Sequence, residues 1–410
     1  MSRFVIIGAG PAGMRAAEVL RQKAPEAGIV LIGDEPHLPY DRPPLSKGFI
    51  TEGLDAARLA LKPESFYAEQ RISLKLGAPA AAIDRAGKAV LLAGGERIAY
   101  DRLLLAMGCR GRKLPVSLTG DMPVHYLRSL ADAERIRATL GPGVEIVMIG
   151  GGFIGLEIAA SARKLGAEVT VLEMAPRLMS RAVPAVVGDF ARALHERHGV
   201  VFEFAARLNA LARGADGRAL VETQRQAYPC DLVIAGVGAE PNTALAEAAG
   251  LVVEDGIRVD AWGRTSDPDI FAAGDVTRHD SPPLDRAIRI ESWQVALNQA
   301  AAVAAAMAGA SEPYAELPWL WTDQYDCNIQ ALGLFEAGLE PVLRGDPAAG
   351  AFTLLGLDAE GRIAAAITVN NGRDMAVLRR LTASRAVLPK DALADPARKL
   401  SDLLKLARSG

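Results

Sequence analysis

The residues best placed by type and spacing to do chemistry in this chain are glycines. Gly8, Gly10 and Gly13 stand in Gly8-Ala9-Gly10-Pro11-Ala12-Gly13, and Gly150, Gly152 and Gly155 stand in Gly150-Gly151-Gly152-Phe153-Ile154-Gly155. A GxGxxG turn needs its glycines for separate reasons. One permits the tight bend, one lets the backbone approach a pyrophosphate, and one lets the following helix pack on the strand. The phosphates then lie against the unpaired N–H groups at the positive end of that helix. Each turn is followed by an acid at the end of the next apolar run: Asp34 lies 21 residues after Gly13, and Glu173 lies 18 after Gly155. A carboxylate there accepts hydrogen bonds from a ribose 2'-hydroxyl and repels a 2'-phosphate. The spacing predicts two dinucleotide sites in one chain, the second favouring NADH over NADPH. Arg177 and Arg181 follow Glu173 within eight residues and could soften that preference.

No acid–base or nucleophilic constellation accompanies the glycines. The five histidines (His37, His125, His195, His198 and His279) have no metal-ligand spacing, and no metal is expected. His195 and His198, three apart on an expected helix, read as surface residues. Cys109, Cys230 and Cys327 are far apart, odd in number and free of any CxxC pair, which gives no disulfide framework and no redox couple. Cys109 reads as a buried bystander.

Strands and helices must hold these turns in place, and the apolar pattern supplies them. Residues 3–7 read as a strand, a helix runs to about 23, and residues 28–32 form the next strand. The same unit recurs as a strand at 145–149, a helix at 154–165 and a strand at 168–173. Apolar runs at 103–105 and 232–235 lead to Gly108 and Gly238, and a third at 270–273 leads to Gly274 and Asp275. A helix follows at 293–307, and then a proline-punctuated stretch at 313–318 that reads as a domain boundary. The last hundred residues carry a strand meander, with runs at 352–356 and 363–369, then helical segments. Short strands alternating with helices predict α/β layers on parallel sheets.

Composition narrows the function classes. The 410 residues suggest two or three domains. Lys plus Arg number 46 against 49 acids, a net charge of -3 that argues against nucleic acid as the main partner. No apolar run approaches the roughly 20 residues of a membrane helix. A strand begins by residue 3, leaving no room for a signal peptide. With no disulfide pattern, the expected location is cytoplasmic.

Four further segments stand out: Gly33-Asp34-Glu35, the proline-rich run from Pro39-Tyr40-Asp41-Arg42 to Lys47, Arg289-Ile290-Glu291-Ser292-Trp293, and Pro318-Trp319-Leu320-Trp321-Thr322-Asp323-Gln324; the second, a long proline-rich loop, has no generic α/β reason to exist. In them the chain resembles the FAD-dependent pyridine-nucleotide oxidoreductases of the glutathione-reductase-like fold. More narrowly, it is similar along nearly its whole length to the ferredoxin reductase components of bacterial oxygenase systems. The resemblance implies two Rossmann-like domains plus a C-terminal α+β domain. A discontinuous FAD domain would span 1–109 and 236–312, an NAD domain 110–235, and a domain covering the flavin 313–410.

By the same resemblance Gly8, Gly10, Ala12, Gly13, Asp34, Arg42, Ala80, Ala106, Gly108, Arg128, Gly274, Asp275, Glu291, Ser292 and Trp293 contact FAD. Asp34 takes the adenosine ribose, Ala80 the adenine and Asp275 the ribitol chain. Gly150, Gly152, Phe153, Ile154, Gly155, Glu173, Arg181 and Gly238 contact NADH. Lys47 would approach the isoalloxazine with Glu157 as its counter-charge, the two residues assigned to catalysis; Glu157 also has an ordinary reading as a helix-start acid. Trp321 is a candidate for the flavin's other face, the electron exit, or core packing. One departure stands out, Ala106-Met107-Gly108 where the family has Ala-Thr-Gly.

The implied activity is that of an NADH:ferredoxin oxidoreductase. NADH gives two electrons as hydride, an iron–sulfur protein takes one at a time, and flavin connects them. The implied partner is an acidic [2Fe-2S] ferredoxin feeding an oxygenase, steered by a basic rim for which Arg289, Arg344, Arg373, Arg379 and Arg380 are candidates. A monomer or weak homodimer is expected. The alternatives are an NADH:rubredoxin reductase, another NADH oxidase-type flavoprotein, or a binding protein on the same fold. The tryptophan segment, the missing redox cysteine and the lack of long insertions weigh against them in turn.

Overall fold

The chain's short β-branched runs form strands covered on both faces, as parallel sheets require. The computed structural model describes residues 2–409. Its principal elements, in chain order, are β1 (Arg3–Ile7), α1 (Pro11–Lys23), β2 (Gly28–Ile32), β3 (Ile72–Lys75), β4 (Arg102–Leu105), β5 (Glu145–Ile149), α2 (Phe153–Lys164), β6 (Glu168–Glu173), α3 (Ala185–Arg197), β7 (Val201–Phe204), β8 (Leu232–Ala235), β9 (Ile270–Ala272) and α4 (Trp293–Met307). The antiparallel strands β10 (Trp319–Gln324), β11 (Cys327–Leu332), β12 (Glu340–Asp346), β13 (Ala351–Leu357) and β14 (Ile363–Val369) follow. The chain divides into two compact units. The first is Met1–Pro44, Leu54–Arg110 and Ala239–Pro318; the second is Leu45–Gly53, Gly111–Gly238 and Trp319–Gly410.

The first unit carries a parallel sheet in the order β9-β4-β1-β2-β3. Alternation along β1 divides its core in two. Phe4 and Ile6 join one cluster with α1 and α4, through Ala16, Ala17, Ala300 and Val303. Val5 and Ile7 join the other, with Val90, Ile98 and Leu251. Small alanines on α1 and α4 let the helices approach closely over that face. An antiparallel ladder of Ala80–Asp84, Ala89–Leu92 and Arg97–Ala99 belongs to the same unit.

The second unit repeats the plan with a parallel sheet ordered β7-β6-β5-β8. Ile146 and Met148 face one cluster, while Val147 and Ile149 face another. Its C-terminal part is an antiparallel sheet ordered β10-β11-β14-β13-β12. Val187, Ala191 and Leu194 of α3 pack into the cluster formed by Ile329, Phe352 and Ile367 of that sheet. The segment Leu45–Gly53 is seated here as well. Ile50 packs with Ile136 and Ile158, and the Phe49 carbonyl accepts a hydrogen bond from Arg137 Nη1 at 3.3 Å.

Both parallel sheets reverse their winding direction at the first strand, between β1 and β4 and between β5 and β8. A ligand crevice opens beyond the carboxyl ends of strands at such a reversal, and that is where the two glycine turns lie. Among the described residues, no helix is long and apolar enough to cross a membrane.

Candidate functional site

The two glycine turns are built alike. Gly8 (φ +112°) and Gly150 (φ +105°) leave β1 and β5 in a backbone region that side chains disfavour. A Cβ on Gly8 would lie 2.2 Å from the Ala106 carbonyl oxygen, and one on Gly150 would lie 2.5 Å from that of Gly236. The third glycines are held as tightly, with a Cβ on Gly13 falling 1.9 Å from the Gly8 oxygen and one on Gly155 2.4 Å from that of Gly150. The middle glycines differ. A Cβ on Gly10 or Gly152 would meet nothing within 4 Å, so each faces open space at the N-cap of α1 or α2.

Neither helix has an acid in its first turn, and each has basic residues in its last: Arg21 and Lys23, Arg163 and Lys164. The positive end of each dipole is left for an anion. The residues present therefore fit a dinucleotide diphosphate at each turn. Gly13→Ala is expected to lower the unfolding free energy by about 3 kcal/mol, because its Cβ lands on backbone that cannot yield. A denaturant titration of the variant beside the parent checks this.

The acids after the turns differ in setting. Asp34 is exposed just beyond β2. Glu173 is fixed, its carboxylate oxygens accepting from the Gly151 and Ala175 N–H groups at 2.7 Å each. Arg177, the first of the two arginines beyond it, braces the loop by donating to the Val183 and Ser180 carbonyls at 2.7 and 2.9 Å. Arg181 is exposed and passes close to Gly238 (φ +111°). Ile154, half exposed, follows Phe153 in the first turn of α2.

In the first unit, Gly108 (φ +60°) and Gly274 (φ +83°) keep the turns after β4 and β9. The turn at 106–108 survives with methionine at its centre, the Met107 carbonyl accepting from Asn242 Nδ2 at 2.8 Å. A Cβ on Gly274 would lie 3.3 Å from Ala12 Cβ, which brings the β9 turn against the start of α1. Asp275 is half-buried, and its carbonyl accepts from the buried Cys109 thiol at 3.3 Å. Trp293, in the first turn of α4 after the buried N-cap Ser292, donates from Nε1 to Asp41 at 2.6 Å. Arg42 pairs with Glu35 at 2.9 Å, and Glu291 is exposed and takes a hydrogen bond from Arg289 at 2.5 Å. Ala80 opens its strand half-buried, and Arg128 is half-buried beside the Ser129 capping box of the next helix.

The second unit brings Lys47 and Glu157 together. Lys47 Nζ lies 2.9 Å from Glu157 Oε2, with the carboxylate side chain only 7% exposed. Two hydroxyls join the lysine there: Ser46 donates to Oε2 at 2.5 Å, and Thr322, on β10, donates to Oε1 at 2.6 Å. Ser161, one helical turn beyond Glu157 on α2, donates to the Ser46 carbonyl at 2.6 Å and ties the lysine segment to the helix. Removing one partner of such a pair leaves an uncompensated buried charge.

Ser46, Thr322 and Ser161 escaped the sequence reading. The signal for Thr322 is its period-2 spacing with Gln324, two polar residues on one face of a strand. Both are fully buried.

Several expectations are corrected. His195 is not a surface residue but fully buried, its Nε2 2.9 Å from Gln324 Oε1, and burial pushes it down to about 4. His198, by contrast, is exposed as expected, and it stacks on Tyr325 with ring centroids 3.6 Å apart. Arg344 cannot serve on a docking rim, because it is buried and donates to the carbonyls of Leu393, Asp395 and Arg398. Arg289 is largely occupied by Asp255 and Glu291. Trp321 stacks on Trp319 at 5.2 Å, and Arg379 lies over the Trp319 ring at 4.6 Å.

Residues 2–300 match the pyridine nucleotide-disulphide oxidoreductase family, and residues 319–404 match a reductase C-terminal domain. The chain is 50% identical over 401 residues to the anthranilate 1,2-dioxygenase system ferredoxin–NAD(+) reductase component of Burkholderia cepacia, covering 98% of this chain and 99% of that one. It is similar to the covalent putidaredoxin reductase–putidaredoxin complex (36% identity, TM-score 0.94, covering 100% and 99% of the two chains). It is likewise similar to the ferredoxin reductase for the CYP199A2 system from Rhodopseudomonas palustris (38% identity, TM-score 0.93, covering 98% and 100%). With both dinucleotide turns in place and matches at these levels over its full length, the chain belongs to the pyridine nucleotide-disulphide oxidoreductase family, among its ferredoxin reductases.

Proposed function

We propose that this chain is the NADH:ferredoxin oxidoreductase of an oxygenase system, passing electrons from NADH through FAD to an acidic [2Fe-2S] ferredoxin and so to a terminal oxygenase. The observation that carries the reading is a paired dinucleotide framework within a full-length match at 50% identity to a dioxygenase-system reductase. FAD is assigned to the first turn, with Gly10 and the start of α1 at its diphosphate, Asp34 at its ribose and Asp275 at its ribitol. NADH is assigned to the second turn, at Gly152 and Glu173. The domain assignment is an FAD-binding part at 1–109 and 236–312, an NAD-binding part at 110–235 and a C-terminal domain at 313–410. Cytoplasmic location, and a monomer or weak homodimer, belong to the same proposal.

When bound, FAD accepts two electrons from NADH as hydride and releases them one at a time. The chain's own residues bind, orient and supply charge. Lys47 Nζ brings a positive charge, held in place by Glu157, and the open ground before α1 and α2 seats the diphosphates. The three cysteines are buried, and burial pushes the Cys230 and Cys327 thiols up to about 11 and about 12, which suits packing rather than thiol redox chemistry.

Glu173→Ala is expected to raise the KM for NADH about tenfold with little change in kcat, and to narrow the preference over NADPH. Steady-state kinetics with both nucleotides check it. The overall reading is tested by anaerobic titration of the holoprotein with NADH, followed by an oxidised [2Fe-2S] ferredoxin. Bleaching, then recovery of the flavin spectrum only on adding ferredoxin, is expected. Rapid recovery in air alone would move the assignment to an oxidase.

A further inference from the structure

Glu157 stands at one end of a chain of buried hydrogen bonds that runs to His195. A carboxylate paired with Lys47 only accepts, so the single Thr322 hydroxyl proton is committed to Glu157 Oε1 at 2.6 Å. The Thr322 oxygen then accepts from Gln324 Nε2 at 3.2 Å. That turns the Gln324 amide oxygen to His195 Nε2, 2.9 Å away, so His195 must carry its proton on Nε2. Its Nδ1 is left to accept from the Tyr325 hydroxyl at 3.5 Å. His195 and Phe202 meet edge to face. Thr322 and Gln324, like His195, have no exposed surface, and every link has one allowed direction.

We propose that His195 and Gln324 are positioning residues for the Glu157–Lys47 pair: they fix the direction of the Thr322 hydroxyl, and through it how strongly Glu157 draws on Lys47. The proposal rests on the reading of Lys47 as the charge that assists flavin reduction. Without the His195 donor, the Gln324 amide is free to turn over and present its oxygen to Thr322. The hydroxyl then has a second acceptor, Glu157 Oε1 loses its donor, and the carboxylate, less neutralised by hydroxyls, leans harder on the ammonium. Less of the Lys47 charge is then left for the cofactor. His195 thus acts at a distance, through two side chains, without meeting NADH or FAD.

The test uses the FAD holoprotein and anaerobic stopped-flow reduction by NADH, with the flavin midpoint potential as a second readout. His195→Leu is expected to slow the limiting reduction rate about tenfold, the scale of one hydrogen bond to a charged group. It should lower the midpoint potential and leave NADH affinity within about twofold. Thr322→Val should do the same. The double variant should be no slower than either single one, since both break one chain of bonds, and Thr322→Ser should restore parental values.

His195→Phe, which removes the same donor while keeping a ring of similar size, carries the same expectation and keeps the test decisive if His195→Leu fails to fold. Folded single variants with parental rate and potential, or a double variant whose losses multiply, would overturn the proposal. A parent holoprotein that NADH does not reduce would instead overturn the assigned function, and this proposal with it.

Discussion

Lys47→Ala is expected to slow single-turnover reduction of the FAD holoprotein by NADH about a hundredfold, the cost of losing one preorganised charge of about 3 kcal/mol from the transition state. The structure makes this charge unusual. Lys47 Nζ is 2.9 Å from a carboxylate with little contact with water, and Ser46 and Thr322 each donate to that carboxylate. The ammonium is therefore held at one place before any ligand arrives. The same substitution strands the Glu157 charge with two hydroxyl donors and no cation, which costs about 3 kcal/mol of stability.

Lys47→Met separates the two contributions of the lysine, because it keeps the apolar stem and removes only the charge. It should match Lys47→Ala in the stopped-flow trace. A parental rate in either variant would confine the pair to a structural role.

The unfolding free energy is expected to fall by about 3 kcal/mol for each of two histidines as pH drops from about 6.5 to about 4. His195 and His279 are 0% and 2% exposed, and burial lowers each from 6.5 to about 4. Above pH 6.5 both are neutral in the folded and unfolded chain, so they add no pH dependence. Between the two values the unfolded chain takes up protons that the folded chain refuses, and stability declines as pH falls. Below about 4 both states are protonated and the loss is complete.

His125, half-buried, is shifted in the same direction by burial and adds to the slope. Carboxylates held low by arginine or lysine partners, such as Glu18 and Asp358, add a loss that begins in the usual carboxylate range, where the unfolded chain takes up its protons, and is complete only below it. Denaturant titrations at pH 7, 6 and 5 check the window. His279→Leu should remove roughly half of the slope between pH 6.5 and 5; an unaltered slope would assign the acid sensitivity elsewhere.

The glycine turns and their acids were legible in the sequence because their physics is local. Gly8 and Gly150 need a positive φ directly after a strand, Gly10 and Gly152 open a helix, and Glu173 ends the next strand; all fall within about thirty residues. The strands themselves were readable for the same reason, and β5, β6 and β14 occupy the residues their apolar patterns predict. Lys47 and Glu157 could be paired before the fold was known only through resemblance, since 110 positions separate them.

The donors around Glu157 were out of reach, because Ser46 lies 111 residues before it and Thr322 165 after. His195 went wrong for a related reason. Its helix is amphipathic, but which flank of the apolar stripe is covered depends on β10 and β11, more than a hundred residues further along. Arg344 was misread as a surface charge because the carbonyls that bury it belong to Leu393, Asp395 and Arg398, about fifty residues on. By itself the sequence determined where the two strand, glycine-turn and helix units lie, because backbone conformation and helix ends are decided by neighbours along the chain. Only the tertiary structure decided which polar side chains share a buried charge, because burial and hydrogen-bond direction are set by neighbours in space.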